Sequence, residues 1–252
     1  KKAAFMNAFP NRLALDAGQK ILKIFTSGTP GQRAFAGMVP GVKVVHEGVL
    51  LDTSGRNKSG GDTTVLAPEK FFSAFSDKNP EQIFFLNNPT AENLLVVAGA
   101  STNYGKNGGN DFYEGCIGPN FRSCSHGGAD VGLGVKDYAG EFQSRGVMGV
   151  LTDNFGSGFG NGQIGGFNFV YDPNNKLQSN MDHSSLTHLP NEIRPLCEMV
   201  AKHDIELAQE EYKHSKNGIG LKVTENILNN WEQEKGKFAF VKGLNVCILL
   251  SI

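Results

Sequence analysis

Val131-Gly132-Leu133-Gly134-Val135 alternates branched or apolar side chains with bare glycine. It lies in a zone from Gly99 to Gly166 that holds 19 glycines in 68 residues. Each interior glycine costs a helix about 1 kcal/mol against alanine, so ordinary helices are not expected there. Short apolar runs recur instead: Val147–Leu151, Phe155–Phe159 and Ile164–Tyr171, the last closed by the turn Asp172-Pro173-Asn174-Asn175. The zone reads as short, twisted, mainly antiparallel strands joined by tight turns. Glycine there supplies positive φ angles and close strand approach.

Outward from this zone the patterns change. Leu13, Ala17, Ile21 and Ile24 recur at helical spacing and predict an N-terminal helix over Leu13–Phe25. Val42–Asp52, Thr63–Leu66, Ile83–Leu86 and Leu94–Ala98 read as strands, and Glu69–Phe75 as a helix. After Asn191, an apolar stripe of Leu196, Met199, Val200, His203 and Leu207 predicts a helix running to about Ser215. Asn217-Gly218-Ile219-Gly220 stops it, and Lys222–Lys235 forms a second helix through Val223, Ile227, Leu228 and Trp231. Phe238–Val241 and Leu244–Leu250 read as strands returning to the sheet.

The expected fold class is α+β: a glycine-rich, mainly antiparallel β core covered by a C-terminal helical hairpin and an N-terminal helix. The return strand favours one domain over residues 1–252, with a subdivision at 1–98, 99–190 and 191–252. No motif recurs at a fixed short period, which excludes solenoids and propellers. The one internal echo is Gly48-Val49-Leu50-Leu51-Asp52 against Gly149-Val150-Leu151-Thr152-Asp153.

Charge narrows the function classes. Lys plus Arg number 24 against 25 Asp plus Glu, a net charge of −1, which leaves no electrostatic footprint for nucleic acid or an anionic membrane. No apolar run reaches the ~18–20 residues of a membrane span. The start, Lys1-Lys2-Ala3-Ala4-Phe5, is not an intact signal peptide, and a processed start is equally compatible. Four cysteines, Cys116, Cys124, Cys197 and Cys247, include no C-x-x-C pair. Two readings stay open for them: a short Cys116–Cys124 disulfide in an oxidising compartment, or four reduced thiols packed as small hydrophobes. Asn57-Lys58-Ser59 is a glycosylation sequon in a polar loop.

Several motifs carry candidate chemistry. Leu50-Leu51-Asp52-Thr53-Ser54-Gly55 resembles the active-site turn of aspartic peptidases. That resemblance implies two aspartates sharing one proton, one as acid and one as base toward water. Asp153 is the second candidate, although Asn154-Phe155-Gly156 after it departs from the family's small-residue turn. Gly160-x-Gly162-x-x-Gly165 matches the dinucleotide fingerprint in spacing, but a strand-like Phe167–Tyr171 follows where a helix is needed. Gly99–Lys106 is one residue too long for a phosphate loop, and Asn107 stands in place of the magnesium-binding hydroxyl. Asp111 and Glu114 are the metal expectation, a loop calcium site, weighed against a plain surface turn. His126, Asp130 and His183 are the ligand-binding candidates, placed in polar loops where lone histidines are more often solvated bystanders. Glu211-x-x-His214 has di-metal spacing without the further helices such a site needs.

The composition points to a secreted or surface-exposed, extracellular, β-rich binding protein for a small molecule or glycan, compatible with homo-oligomers. Two other readings stand beside it: a hydrolase built on Asp52, and a shell subunit whose glycine-rich sheets join copies.

Overall fold

The computed structural model describes residues 21–68, 94–189 and 191–243. Its strands are β1 (Leu22–Gly28), β2 (Val42–Gly48), β3 (Asp62–Leu66), β4 (Val96–Ala98), β5 (Asn110–Ile117), β6 (His126–Val135), β7 (Arg145–Val150) and β8 (Phe167–Tyr171). After β8 come α1 (Leu177–Asn180), β9 (Leu186–His188), α2 (Arg194–Tyr212), α3 (Ile219–Asn229), α4 (Trp231–Glu234) and β10 (Phe238–Gly243).

From β1 to β8 every pairing is parallel. Leu22 lies opposite Val42, Lys43 opposite Asp62, Asn110 opposite Ala129 and Val147 opposite Phe167, steps of 20, 19, 19 and 20 residues. Between β3 and β5 the step is longer, Thr63 to Asp111, because residues 69–93 intervene; β4 then completes that circuit by pairing with the far half of β5. The chain thus climbs one strand per circuit, which makes this a β-solenoid. The antiparallel core is corrected to a parallel one, and the exclusion of solenoids is overturned. Antiparallel pairing is confined to β10, which lies between β8 and β9.

What repeats along the solenoid is backbone conformation. Residues 33, 35 and 37 have φ between +52° and +76°, as do 53, 55 and 57; 101, 103 and 105; 120, 122 and 124; 138, 140 and 142; and 158, 160 and 162. The occupants share no identity: Asn120-x-Arg122-x-Cys124 in one turn, Gly158-x-Gly160-x-Gly162 in another. A left-handed φ costs an ordinary L residue about 1–2 kcal/mol. Hydrogen bonds between successive turns offset that cost, including Arg33 N–H to the Asp52 carbonyl (3.0 Å), Asn57 N–H to Tyr104 (2.9 Å) and Phe142 N–H to Asn161 (2.9 Å). A sequence search for recurring letters cannot see such a repeat.

Both faces of β2, β3 and β5 to β8 are largely buried, which is why they read as apolar runs, whereas β1 at the edge is largely exposed. Tyr113, Met148, Val150 and Val170 point into the solenoid with Phe121, Phe155 and Phe159. Phe112, Leu133 and Phe169 point outward against Ala201, Ile205, Ala208, Tyr212 and Trp231. The helical hairpin, α2 and α3, is present as expected, but α2 buries Cys197, Ala201, Asp204, Ile205, Ala208 and Tyr212. Leu196 and Met199 of the expected stripe are exposed. Of the expected N-terminal helix, Ile21 precedes β1, Leu22–Phe25 lies in it, and residues 13–20 fall outside the described residues, as do Glu69–Phe75, Ile83–Leu86 and Leu244–Leu250.

Candidate functional site

The highest density of charge lies inside the solenoid. Asp111 opens β5 and Asp130 lies opposite it on β6, so the coil step stacks the two carboxylates. Asn103 and Arg122 are the central left-handed residues of two successive turns, and both aim inward. Lys58 and Lys106 follow their own turns by one residue. Lys58, Lys106, Asp111, Arg122 and Asp130 each have zero exposure.

Their contacts form one continuous network. Asp111 pairs with Lys58 and with Lys106 (3.0 Å), and accepts the Thr63 N–H (2.7 Å) and the Asn103 amide (2.8 Å). Asp130 pairs with Lys106 and Arg122, and accepts Asn103 at 3.1 Å. Arg122 also donates to Gln143 Oε1 and the Gly127 carbonyl. Gln143 leads on to Asn168, and Asn168 to Gln163. Burial pushes the Asp111 carboxyl up, but Lys106 and Lys58 outweigh it and hold it at about 2. Burial pulls the Lys58 ammonium down against the raising pull of Asp111. Three cations, Lys58, Lys106 and Arg122, face two carboxylates. Burial, then Asp111 and Asp130, raise the Tyr113 phenol well above its ordinary value. Each charged side chain of this spine is enclosed and touches at least one of opposite sign, which rigidifies the coils.

Other expected site residues are dispersed. Asp52 accepts the Ala100 N–H of the next circuit at 2.8 Å. Asp153 binds Lys176 (2.7 Å) and Asn174 (3.2 Å). His126 meets Ser144 Oγ at 2.6 Å, and His183 meets the Gln178 carbonyl at 2.6 Å. Asp130 and Asp111 belong to the spine. Glu114, three positions after Asp111 on β5, points to the opposite face and receives the N–H groups of Ala67 and Gly220, both at 3.0 Å, and the Ser215 hydroxyl. Among the described residues no three His, Cys, Asp or Glu side chains converge on a metal position. Sequence reasoning missed Lys58, Lys106, Arg122 and Asn103. The available signal was the separation of Asp111 and Asp130, which equals one circuit.

Cys116, Cys124 and Cys197 are free thiols, which overturns the disulfide reading for the described residues. Cys116 faces the helices from β5, whereas Cys124 sits in a turn beside Tyr104. No described helix is long and apolar enough to cross a membrane. Gly160–Gly165 leads into β8, not into a helix. A cavity of 290 Å³ lies between Asp172, His188, Arg194, Lys237, Phe238 and Phe240. Its charges are committed: Arg194 to Glu198 (3.0 Å), Lys237 to Glu234 (2.7 Å) and Asp172 to the N–H groups of Lys176 and Leu177.

The left-handed triplet that recurs through six turns ends as Gly158-x-Gly160-x-Gly162, and a family model described as "GXGXG motif" matches residues 12–243. The chain belongs to the GXGXG motif family. Among curated relatives, the ferredoxin-dependent glutamate synthase of Antithamnion sp. is 26% identical over 211 residues, covering 84% of this chain and 12% of that protein. Glutamate synthase [NADH] of Schizosaccharomyces pombe is 26% identical over 225 residues, 87% of this chain and 9% of that protein. The glutamate synthase [NADPH] large chain of Bacillus subtilis is 27% identical over 226 residues, 87% and 13%. This GXGXG chain therefore spans about a tenth of the length of these relatives. The matches overturn the secreted binding protein, the peptidase-like hydrolase and the shell subunit. Relatives named for glutamate synthesis with ferredoxin, NADH or NADPH also point away from an extracellular placement.

Proposed function

We propose that this chain is the β-solenoid module of a glutamate-synthase-type enzyme, a rigid body against which the parts that carry out the redox and amide-transfer chemistry are held. The observation that carries the reading is the enclosed spine of Lys58, Lys106, Asp111, Arg122 and Asp130. This concentrated set of ionisable groups ties three successive circuits to one another and turns no reacting atom outward. Membership of the GXGXG motif family and the names of the relatives supply the enzyme class.

The test is depletion. The native chain, removed from an extract of its source with an immobilised antibody, should take with it the glutamate-forming activity supported by NADH, NADPH or reduced ferredoxin. That activity should be measurable on the beads. Full activity left in the depleted extract would overturn the reading.

A further inference from the structure

Two side chains of the fifth turn stand where the coil itself does not call for them. Tyr138 and Phe142 hold φ of +59° and +52°. Every turn holds this φ at the same two positions, so the bulk of the side chains, not the backbone, sets the fifth turn apart. Their rings are 45% and 50% exposed. At the same two positions the other turns carry Arg33 and Gly37, Thr53 and Asn57, Ser101 and Gly105, Asn120 and Cys124, and Gly158 and Gly162. Aromatic rings occupy them in the fifth turn alone.

Each ring rests on a glycine of the next turn. A Cβ added to Gly158 would come 2.6 Å from Tyr138 Cδ1, and one on Gly162 would come 2.4 Å from Phe142 Cε1. The bare glycines seat the inner sides of the rings, and the outer sides stay open. Ile164, 53% exposed, extends the apolar surface just beyond Gly162. Carboxylates border it. Asp137 accepts the Ser157 N–H (2.8 Å), Glu141 accepts the amides of Asn120 (2.8 Å) and Asn161 (3.1 Å), and Asp182 accepts the Gly162 N–H (3.1 Å). All three bind neutral donors, and none has an ion-pair partner among the described residues.

An apolar patch bordered by uncompensated negative charge is complementary to a surface of the opposite sign. We infer that Tyr138, Phe142 and Ile164, with Asp137, Glu141 and Asp182, form a docking surface for a basic, apolar-bearing protein segment, one presenting Lys or Arg around aliphatic or aromatic side chains. The patch of a second copy would meet it charge against like charge. This surface rests on the module reading above and names the place where the module is held.

Labelled synthetic peptides test it on the full chain by fluorescence anisotropy: one of alternating Arg and Leu, one of Glu and Leu, one of Arg and Ser. The Arg–Leu peptide should bind about tenfold or more tightly than either control, about 1.4 kcal/mol. The double variant Tyr138→Gly, Phe142→Gly should lose that preference while its melting temperature stays level or rises, since glycine relieves both positive φ angles. If the rings prove needed for folding, Asp137→Asn with Glu141→Gln keeps them and should weaken Arg–Leu binding at low salt. Equal affinity for the Arg–Leu and Glu–Leu peptides, or unchanged Arg–Leu binding by a folded variant, would overturn the proposal. Either result leaves the depletion assay to judge the module reading separately.

Discussion

Asp204 shows how one buried atom shapes stability. It sits on the inner face of α2, 8% exposed, and its Oδ2 has no hydrogen-bond partner among the described residues. Burial pushes its carboxyl up to about 6 from 3.8, and neighbouring His203 lowers it only in part. The sign follows from linkage: the folded state disfavours the ionised form, so stability is highest below pH 3.8 and falls as pH rises through 6. At about 1.4 kcal/mol per pKa unit the penalty at neutral pH is at most about 3 kcal/mol. Asp204→Asn should therefore raise the melting temperature at pH 8, at about 2–4 °C per kcal/mol for a chain of this size. At pH 4 the two proteins should melt together. Equal melting temperatures at pH 8 would show that the carboxylate finds a partner in solution. On the same helix the large apolar side chains Leu196 and Met199 are exposed, whereas α2 packs through Ala201 and Ala208, small enough to let the helix lie close to the strands.

Between elements, single carboxylates do much of the joining. Glu114 of β5 receives the Ala67 and Gly220 N–H groups and the Ser215 hydroxyl, so it ties the hairpin tip to the solenoid. Tyr212 adds a hydroxyl donated to the Tyr113 carbonyl at 2.9 Å. Glu114→Ala leaves two buried N–H groups without acceptors and should cost about 2–4 kcal/mol. Amide exchange should rise first over Ser215–Gly220, and Glu114→Gln should lose less because one acceptor oxygen remains. Uniform loss of protection across the molecule would instead assign Glu114 to the common core. Asp182 closes the far end of the coil: its Oδ2 accepts Gly162 N–H, and its own N–H bonds to the Phe159 carbonyl (2.9 Å), in place of a further circuit. The Ser184 and Ser185 hydroxyls hold its carboxyl well below the ordinary range. A depressed carboxylate contributes above pH 3.8 and loses that contribution on acidification. Asp182→Ala should accordingly speed amide exchange in Phe159–Gln163 at pH 7, and the difference should narrow as pH falls below 3.8. Much at this scale was legible in advance. Val42, Thr63, Val131 and Phe167 lie in strands as their neighbours suggested, and Gly218 separates two helices. Strand direction was not legible. Parallel partners such as Val131 and Gly149 are joined by a full circuit of chain, and no short-range turn signal records it.

At the scale of the whole molecule, the spine makes the stack behave as one body. Solenoid repeats contact chiefly their neighbours, so their stability is ordinarily a sum of local terms that separate under denaturant. Here Lys58, Lys106, Arg122 and their carboxylates bond across successive circuits, and Gln143, Asn168 and Gln163 continue the chain of contacts. The sequence hid this because Lys and Asp usually read as surface residues; only the fold brings them to zero exposure. Lys106 is the middle of the spine, paired to both Asp111 and Asp130. Lys106→Met preserves its length and removes the charge that bridges Asp111 to Asp130; Lys58 and Arg122 then match the two carboxylates one to one, and what is lost is the bridge between circuits. Losing hydrogen bonds to ionised partners in this way costs about 1.5–3 kcal/mol each. The control is Lys213→Met, whose partner Glu210 is 62% exposed, and there the change should stay within about 0.5 kcal/mol. Urea unfolding at pH 7 measures both, and the Lys106 variant should also split the transition, with the circuits on either side of β5 unfolding apart. Because Asp111 is held at about 2, its share of the stabilisation is complete above pH 3.8 and disappears as pH falls through 2. The gap between wild type and Lys106→Met should therefore be constant from pH 5 to 8 and narrow below pH 3. A gap no larger than that of Lys213→Met at pH 7 would show that the solenoid stands without its charged interior.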